Sequence, residues 1–394
     1  MLVPMAPGDI KVVELFAGIG GFRYGLERCS IENQRQEDKG IGIEARQFEQ
    51  QHNFSTDGFT CVWANEWDKY ACQVYRKNFG EKELHEGDIT KIIADDIPDH
   101  DLLCGGFPCQ AFSIAGKRKG FEDTRGTLFF DIARILRAKR PRMLLLENVK
   151  GLLSHDRGRT FQIILQTLDE LGYDLQWQVL NSKNFGVPQN RERVFIIGHL
   201  RGTSRPEIFP IRESNQISNE QDNSNERWAQ AEYSTTLRGS NMKADNTFIN
   251  VIDKKGKPKN KDYAATLSGG AHSGGNHSDM DLLEITKNQS QGCTIPVLTP
   301  DRINKRQNGR RFKEDGEPAF TLTGQDKHGI YNGTSIRRLT PTECERLQGF
   351  PDGWTTLGID KKGKEVEISD SQRYKMLGNA VTTNVIHEIG KRLI

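Results

Sequence analysis

The sequence Lys11-Val-Val-Glu-Leu-Phe-Ala-Gly-Ile-Gly-Gly-Phe22 decides the fold class. Its first six residues are a short apolar run that reads as a strand. Arg23 to Arg28 then carry helical character. Between the two lies a glycine cluster, Ala17 to Gly21. Strand, glycine turn and helix in that order form a loop for a nucleotide-type cofactor. The glycines let backbone approach the ligand, and the helix N-terminus offers free amide groups. Alone, a glycine cluster is often only a turn; its place after the first strand gives it meaning.

The same unit recurs outward. Thr60 to Asn65 read as a second strand ending in Glu66-Trp67-Asp68, with a helix over Lys69 to Asn78. An acid at a strand tip suits ribose hydroxyls. Trp67 either lies flat on an adenine or packs in the core. The acid follows the glycines by more than the usual ~20 residues, and a polar stretch near 30–58, read as a surface insertion, accounts for the gap. Asp88, before Ile89, either accepts from a cofactor amine or caps the segment at Thr90.

In Leu102-Leu-Cys-Gly-Gly-Phe-Pro-Cys109 a buried strand ends in two glycines, and Pro108 stiffens the turn that presents Cys109. That thiol is either a nucleophile or inert filler. The glycine-punctuated basic run 116–126, with Lys117, Arg118 and Lys119, reads as a loop that closes over substrate and meets phosphate. An amphipathic helix over Leu128 to Arg140 leads to the strand Arg142 to Leu146, with Glu147-Asn148-Val149 at its tip. An acid after a run of leucines can have a raised pKa and donate a proton near neutral pH. A helix over His155 to Leu171 and strands over Leu175 to Asn181 and Arg193 to Gly198 follow. Arg191 and Arg193, at alternate positions, face one side; they suit phosphate or a base edge, and equally surface ion pairs.

Beyond Leu200 hydrophobic residues thin out, and one phrase recurs loosely: Ser234 to Gly239, Ala264 to Gly269 and Ala319 to Gly324. A separate, mainly β, loop-rich region is expected. Helical period returns at Arg337 to Gln348, with Thr340, Pro341 and Glu343 as a start signal, and a last helical segment runs from Lys375 to the end.

Composition bounds the function. At 394 residues the chain holds two domains, or one with an insertion. A net charge of +2 gives no hint of nucleic acid, so any such claim rests on motifs. Seven cysteines without a CxxC pair argue against a disulfide framework and a standard zinc site, and no metal is expected. A cytoplasmic location is expected. The sequence has no membrane-spanning run or signal-peptide core.

The candidates Phe16 to Gly21, Glu66, Cys109 and Glu147 all fall at strand carboxyl ends, where open α/β sheets bind ligands. The ordered set Phe16-Ala-Gly-Ile-Gly-Gly21, Pro108-Cys-Gln110, Glu147-Asn-Val149, Gln189-Asn-Arg-Glu-Arg193 and Gly378-Asn379 resembles the cytosine carbon-5 DNA methyltransferases of restriction–modification type. The resemblance covers roughly 11–199 and 335–394, in the family's motif order.

It implies an α/β fold, the Rossmann-like doubly wound sheet of S-adenosylmethionine-dependent methyltransferases, with a smaller, mainly β, loop-rich target-recognition domain. The domains would be 1–199 (catalytic and cofactor-binding), 200–355 (recognition) and 356–394 (a return to the first). It implies attack by Cys109 on carbon 6 of a flipped-out cytosine, Glu147 at ring nitrogen 3, Arg193 toward the target nucleotide, and Arg191 of the same motif in either a catalytic or a structural role. Phe16, Ala17, Gly18, Gly20, Gly21, Glu66, Trp67, Asp88, Ile89 and Asn379 would bind S-adenosyl-L-methionine. Gln110, Ser113, Lys117, Arg118, Lys119 and Arg125 would clamp double-stranded DNA. A monomer with a separately acting restriction endonuclease is expected. The alternatives are an RNA (tRNA) cytosine-5 methyltransferase, which the large region 200–335 disfavours, and a catalytically dead DNA-binding regulator, which the presence of both Cys109 and Glu147 disfavours.

Overall fold

Apolar runs with side chains alternating between two covered faces build the central sheet. The computed structural model describes residues 10–37, 58–108, 128–204, 206–211, 250–252, 282–284, 294–302, 310–332 and 335–394. Five strands are mutually parallel: β1 (Ile10–Leu15), β2 (Phe59–Glu66), β3 (Leu84–Glu86), β4 (Leu102–Gly106) and β5 (Met143–Val149). With β6 (Tyr173–Asn181) and β7 (Glu192–Leu200) they form a seven-stranded sheet in the order β3-β2-β1-β4-β5-β7-β6, with β7 antiparallel to both neighbours.

Each face buries one set of the alternation. Val13, Leu15, Leu103, Leu144 and Leu146 pack against α3 (Leu128–Lys139) and α4 (Arg159–Glu170). Val12, Leu102, Cys104, Met143 and Leu145 pack on the other face, with α1 (Gly21–Glu37) and α7 (Thr383–Gly390). Glu14 lies on this second face and is fully buried. One oxygen accepts from the amides of Phe22 and Arg23 at 3.2 and 3.4 Å, capping α1; the other has no hydrogen-bond partner. Helix α2 (Lys69–Phe79) completes the β2–β3 crossover and is capped by Asp68.

Several elements differ from the sequence reading: strand β3 was not expected, and Arg337 and Arg338, read as helical, lie in a strand, Ile336–Arg338. Helix α1 runs to Glu37, into the stretch taken as an insertion; its Gln and Glu residues are good helix formers that leave no apolar period. Helix α4 starts at Arg159, because Asp156 and Arg157 take positive φ of 49° and 59° before it. The C-terminal helical segment is two helices, α6 (Asp370–Asn379) and α7, broken by extended backbone at Ala380. Strands β6 and β7 are each slightly longer than expected. Helix α5 (Pro341–Leu347) starts at Thr340 with a reciprocal capping box to Glu343.

Contacts divide the chain into two units, 1–220 with 293–394, and 221–292. The larger also carries the antiparallel strands β10 (Ile295–Leu298), β11 (His328–Tyr331) and β12 (Ile336–Arg338), and the hairpin β13 (Leu357–Ile359) and β14 (Glu365–Glu367). The smaller contains the antiparallel pair β8 (Asn250–Ile252) and β9 (Leu282–Glu284). Of the recurring phrase only Ala319 to Gly324 lies within the described residues.

Candidate active site at the carboxyl edge of the sheet

Strand order reverses between β1 and β4, and a crevice opens beyond their carboxyl ends at such a point. A cavity of about 450 Å³ lies there. Its wall comes from the loop after β1, the tips of β2, β4 and β5, the start of β7 and the last turn of α6.

The loop after β1 turns with positive φ at Phe16 (55°), Gly18 (56°) and Gly20 (81°). Any side chain at Gly20 would run into the ring of Phe79. The Glu66 carboxylate fixes this loop to β2: Oε2 accepts from the Gly18 amide at 2.8 Å, and Oε1 from the amides of Trp67 and Asp68 at 2.9 and 2.8 Å. Burial pushes the Glu66 pKa up, and the three amides oppose that rise. A carboxylate has about four acceptor sites, so one remains. Trp67 is 77% exposed at the rim, a flat apolar surface rather than a core ring. Across the rim, the Lys375 ammonium of α6 pairs with Asp68 at 2.7 Å, and both line the cavity.

At the other end of the cavity, Glu147 of β5 pairs with Arg193 of β7, Nε to Oε1 at 2.9 Å, and both are largely buried. Arg193 is brought there by register, since Val149 faces Arg193 and Glu147 faces Phe195. Gly106 of β4 faces the carboxylate, and a Cβ there would lie 3.0 Å from Glu147 Oε2. Asn148 donates to the Phe107 carbonyl at 2.8 Å, tying the tip of β5 to the turn at Pro108. Cys109, Gln110, Ser113, Lys117, Arg118, Lys119 and Arg125 lie outside the described residues; Pro108, which lines the cavity, immediately precedes the cysteine.

Among the expected residues, Phe16, Ala17, Gly18, Gly21, Glu66, Trp67, Glu147, Arg191, Arg193 and Asn379 line one cavity. Asp88 and Ile89 are not part of its lining: Asp88 caps a short helical turn by accepting from the Thr90 amide and hydroxyl, and Ile89 is in the core. Gly20 supports the loop from behind. Arg191 is 2% exposed, and its guanidinium donates to the carbonyls of Leu322, Gly378 and Ala380 at 2.7, 3.3 and 2.8 Å. Burial lowers its pKa to about 9. Sequence reasoning missed Ile19, Asp68, Lys375 and Met376 in the lining. Lys375 stands four residues before Asn379 in α6, a spacing that shares one helix face.

The sheet and cavity define a doubly wound α/β protein whose cavity lies at the topological switch point, with a carboxylate–arginine pair and Pro108, the residue before Cys109, in its wall. The chain belongs to the C-5 cytosine-specific DNA methylases, whose family model matches residues 10–394. It is 36% identical to the type II methyltransferase M.HhaI of Haemophilus parahaemolyticus, over 96% of this chain and 93% of that protein. It is 34% identical to the orphan methyltransferase M.SPRI of Bacillus phage SPR, over 98% of each. Among solved structures, the S. pombe Dnmt2 methyltransferase shares the fold with a TM-score of 0.52 at 19% identity, covering 96% of both chains.

Proposed function

We propose that this DNA methylase is sequence-specific, uses S-adenosylmethionine, and acts through Cys109 and Glu147. The observation that carries this reading is the Glu147–Arg193 pair lining the same cavity as the Glu66-pinned glycine loop and Pro108. The residues fit the cofactor: the free acceptor site of Glu66 suits a ribose hydroxyl, exposed Trp67 suits a purine face, and backbone at Gly18, open on its Cβ side, admits close approach. When bound, S-adenosylmethionine supplies an electrophilic methyl group on a positively charged sulfur.

Cytosine carbon 5 is a poor nucleophile on its own. The Cys109 thiolate adds to carbon 6 and makes carbon 5 enamine-like. Glu147, held by Arg193, takes the ring nitrogen 3 side of the base and carries the proton that stabilises the adduct. Once carbon 5 carries the methyl group, loss of its proton and elimination of Cys109 free the product. A free thiol is only a few per cent ionised at pH 7, so the site must assist its ionisation. The base must leave the duplex stack, which costs a few kcal/mol. Gln110, Ser113, Lys117, Arg118, Lys119 and Arg125 would clamp the DNA, and the region 200–355, followed by the return segment 356–394, would read it. Protection of host DNA beside a separate endonuclease, as a cytoplasmic monomer, completes the reading. Among the described residues no helix is long and apolar enough to cross a membrane.

Transfer of labelled methyl to unmethylated duplex DNA, with total RNA in parallel, tests it. Label at one recurring motif as 5-methylcytosine is expected; label only in RNA moves the substrate, and label in neither refutes the reading. Cys109→Ser is expected to abolish turnover and keep specific DNA binding; residual turnover overturns the nucleophile assignment.

A further inference from the structure

The connection from β5 to α4 leaves the sheet at the same carboxyl edge as the cavity. Val149, the last residue of β5, lines the cavity and faces Arg193 across the strands. Lys150, next in the chain, is fastened to the start of β7: its ammonium pairs with Glu192 at 2.8 Å, both side chains half exposed. Beyond Lys150 the connection is pinned from both sides. Leu152 before the turn and Phe161 after it enter the same core cluster, and His155 Nδ1 lies 2.7 Å from the hydroxyl of buried Thr160. Between these anchors three successive residues, Asp156, Arg157 and Gly158, take left-handed backbone, with φ of 49°, 59° and 84°. Glycine adopts that conformation freely and aspartate not rarely, whereas arginine seldom does. Such backbone persists where the surroundings over-determine it, and it collects at ligand-holding sites.

The turn presents charge. Three cations, Lys150, Arg157 and Arg159, stand against one acid, Asp156, in the stretch 150–159. Asp156 is occupied by Arg159, Nη2 to Oδ1 at 2.7 Å, as Lys150 is by Glu192. Arg157 is exposed, and among the described residues its guanidinium makes no hydrogen bond or ion pair. At the cofactor end of the rim, by contrast, the lysine is matched, Lys375 to Asp68. The unmatched cation therefore stands on the connection that leaves the Glu147–Arg193 end.

We propose that Arg157 is a DNA-backbone contact, its guanidinium taking a phosphate of the duplex beside the cytosine held at Glu147. The proposal rests on the function read above, and it adds a contact outside both the clamp stretch 110–125 and the region 200–355. A base drawn in between Pro108 and Glu147 leaves its own and the neighbouring phosphates outside the rim. A guanidinium offers parallel N–H donors that match two phosphate oxygens. Contacts of this kind set the register and orientation of the protein on the duplex and carry no sequence information.

The test is the affinity of the full chain for a duplex containing the methylated motif, measured across a range of salt concentrations. Each neutralised phosphate contributes about −0.9 to the slope of log affinity against log salt. Arg157→Gly, which keeps the left-handed backbone and removes the charge, is expected to make the slope shallower by about 0.9. Raising salt from about 50 to about 200 mM then costs it about 3.5-fold less affinity than it costs wild type. The same change is expected with a duplex lacking the motif. Arg157→Lys keeps the charge and is expected to keep the slope. An unchanged slope in Arg157→Gly, or an equal change in both variants, overturns the proposal. Single uncharged methylphosphonate linkages, moved stepwise around the target cytosine, are expected to include one that weakens wild type and leaves Arg157→Gly unaffected; if every linkage weakens both proteins alike, the direct contact is overturned. A change seen with RNA and not with duplex DNA overturns the assignment of the phosphate to the duplex. Wild type that neither binds S-adenosylhomocysteine nor methylates DNA would overturn the functional reading itself, and the contact with it.

Discussion

Glu14→Gln should change the pH dependence of stability more than its level at acid pH. Burial raises the Glu14 pKa from 4.5 to about 8; Arg23 and the amides of Arg23 and Phe22 oppose that rise, and the Glu27 charge adds slightly to it. Cys61, Cys104 and Tyr75 are the other titratable groups coupled to it. With a folded pKa above the unfolded one, folding takes up a proton. The favourable contribution is complete below pH 4.5 and is lost as pH rises through 8. At about 1.4 kcal/mol per tenfold change in proton affinity, the loss is on the order of 5 kcal/mol across that window, and ~3 kcal/mol by pH 7. Glutamine keeps an oxygen for the Phe22 and Arg23 amides and never ionises. Its amide nitrogen replaces an oxygen that already lacks a partner, an added cost of about 1–3 kcal/mol. Urea unfolding of both chains from pH 5 to 9 reads the difference. The variant should be less stable near pH 5 and more stable near pH 8.5, with a crossing between. Parallel profiles would refute the assignment of a protonated, buried Glu14.

Glu147→Gln should slow methylation by at least about 100-fold, the usual scale of a lost acid–base group, with S-adenosylhomocysteine affinity nearly unchanged; an equal loss of affinity would move Glu147 into the cofactor site. Gly105→Ala places a Cβ 2.6 Å from the Leu15 carbonyl oxygen and should lower stability by about 1–3 kcal/mol, read as a lower urea midpoint; an unchanged midpoint would show that β1 and β4 separate freely. Lys375→Met removes the ion pair across the cavity rim and should speed S-adenosylhomocysteine release several-fold in stopped flow, an effect that shrinks with salt because the pair is half exposed.

Four strands of the parallel sheet, β1, β2, β4 and β5, were legible as mainly apolar runs, whereas β3, Leu84-His85-Glu86, has no apolar run to read. Those four runs made Phe16 to Gly21, Glu66 and Glu147 recognisable at the strand tips. What escaped notice depends on contacts distant in sequence. Nothing local shows that Arg191 turns to Leu322 and Ala380 while Arg193, two residues on, turns to Glu147; the carbonyls and the carboxylate that separate them come from other segments. Asp88 offered two local readings, and the structure shows the cap, made to the amide and hydroxyl of Thr90 two residues on. The break at Ala380 has no proline to announce it, although Thr382 is a plausible helix start. The end of α1 was hidden because a polar helix has no apolar stripe to count.

The antiparallel course of β7 has a consequence for how this chain can change. Because β7 enters at the cavity and leaves at the far edge, the chain passes Leu200 and lies along β6, where Gln176 and Gln178 accept from the amides of Ile208, Phe209 and Ile211. It rejoins the catalytic framework where Ala319 meets Pro188 and Asn190. Two docking points thus bracket the intervening sequence. Between them, each doubling of length costs only about 0.6 kcal/mol in closure entropy. If the intervening stretch reads DNA as proposed, a replacement cassette that ends on the same two seams is expected to change size and base preference while the chemical centre stays as it is.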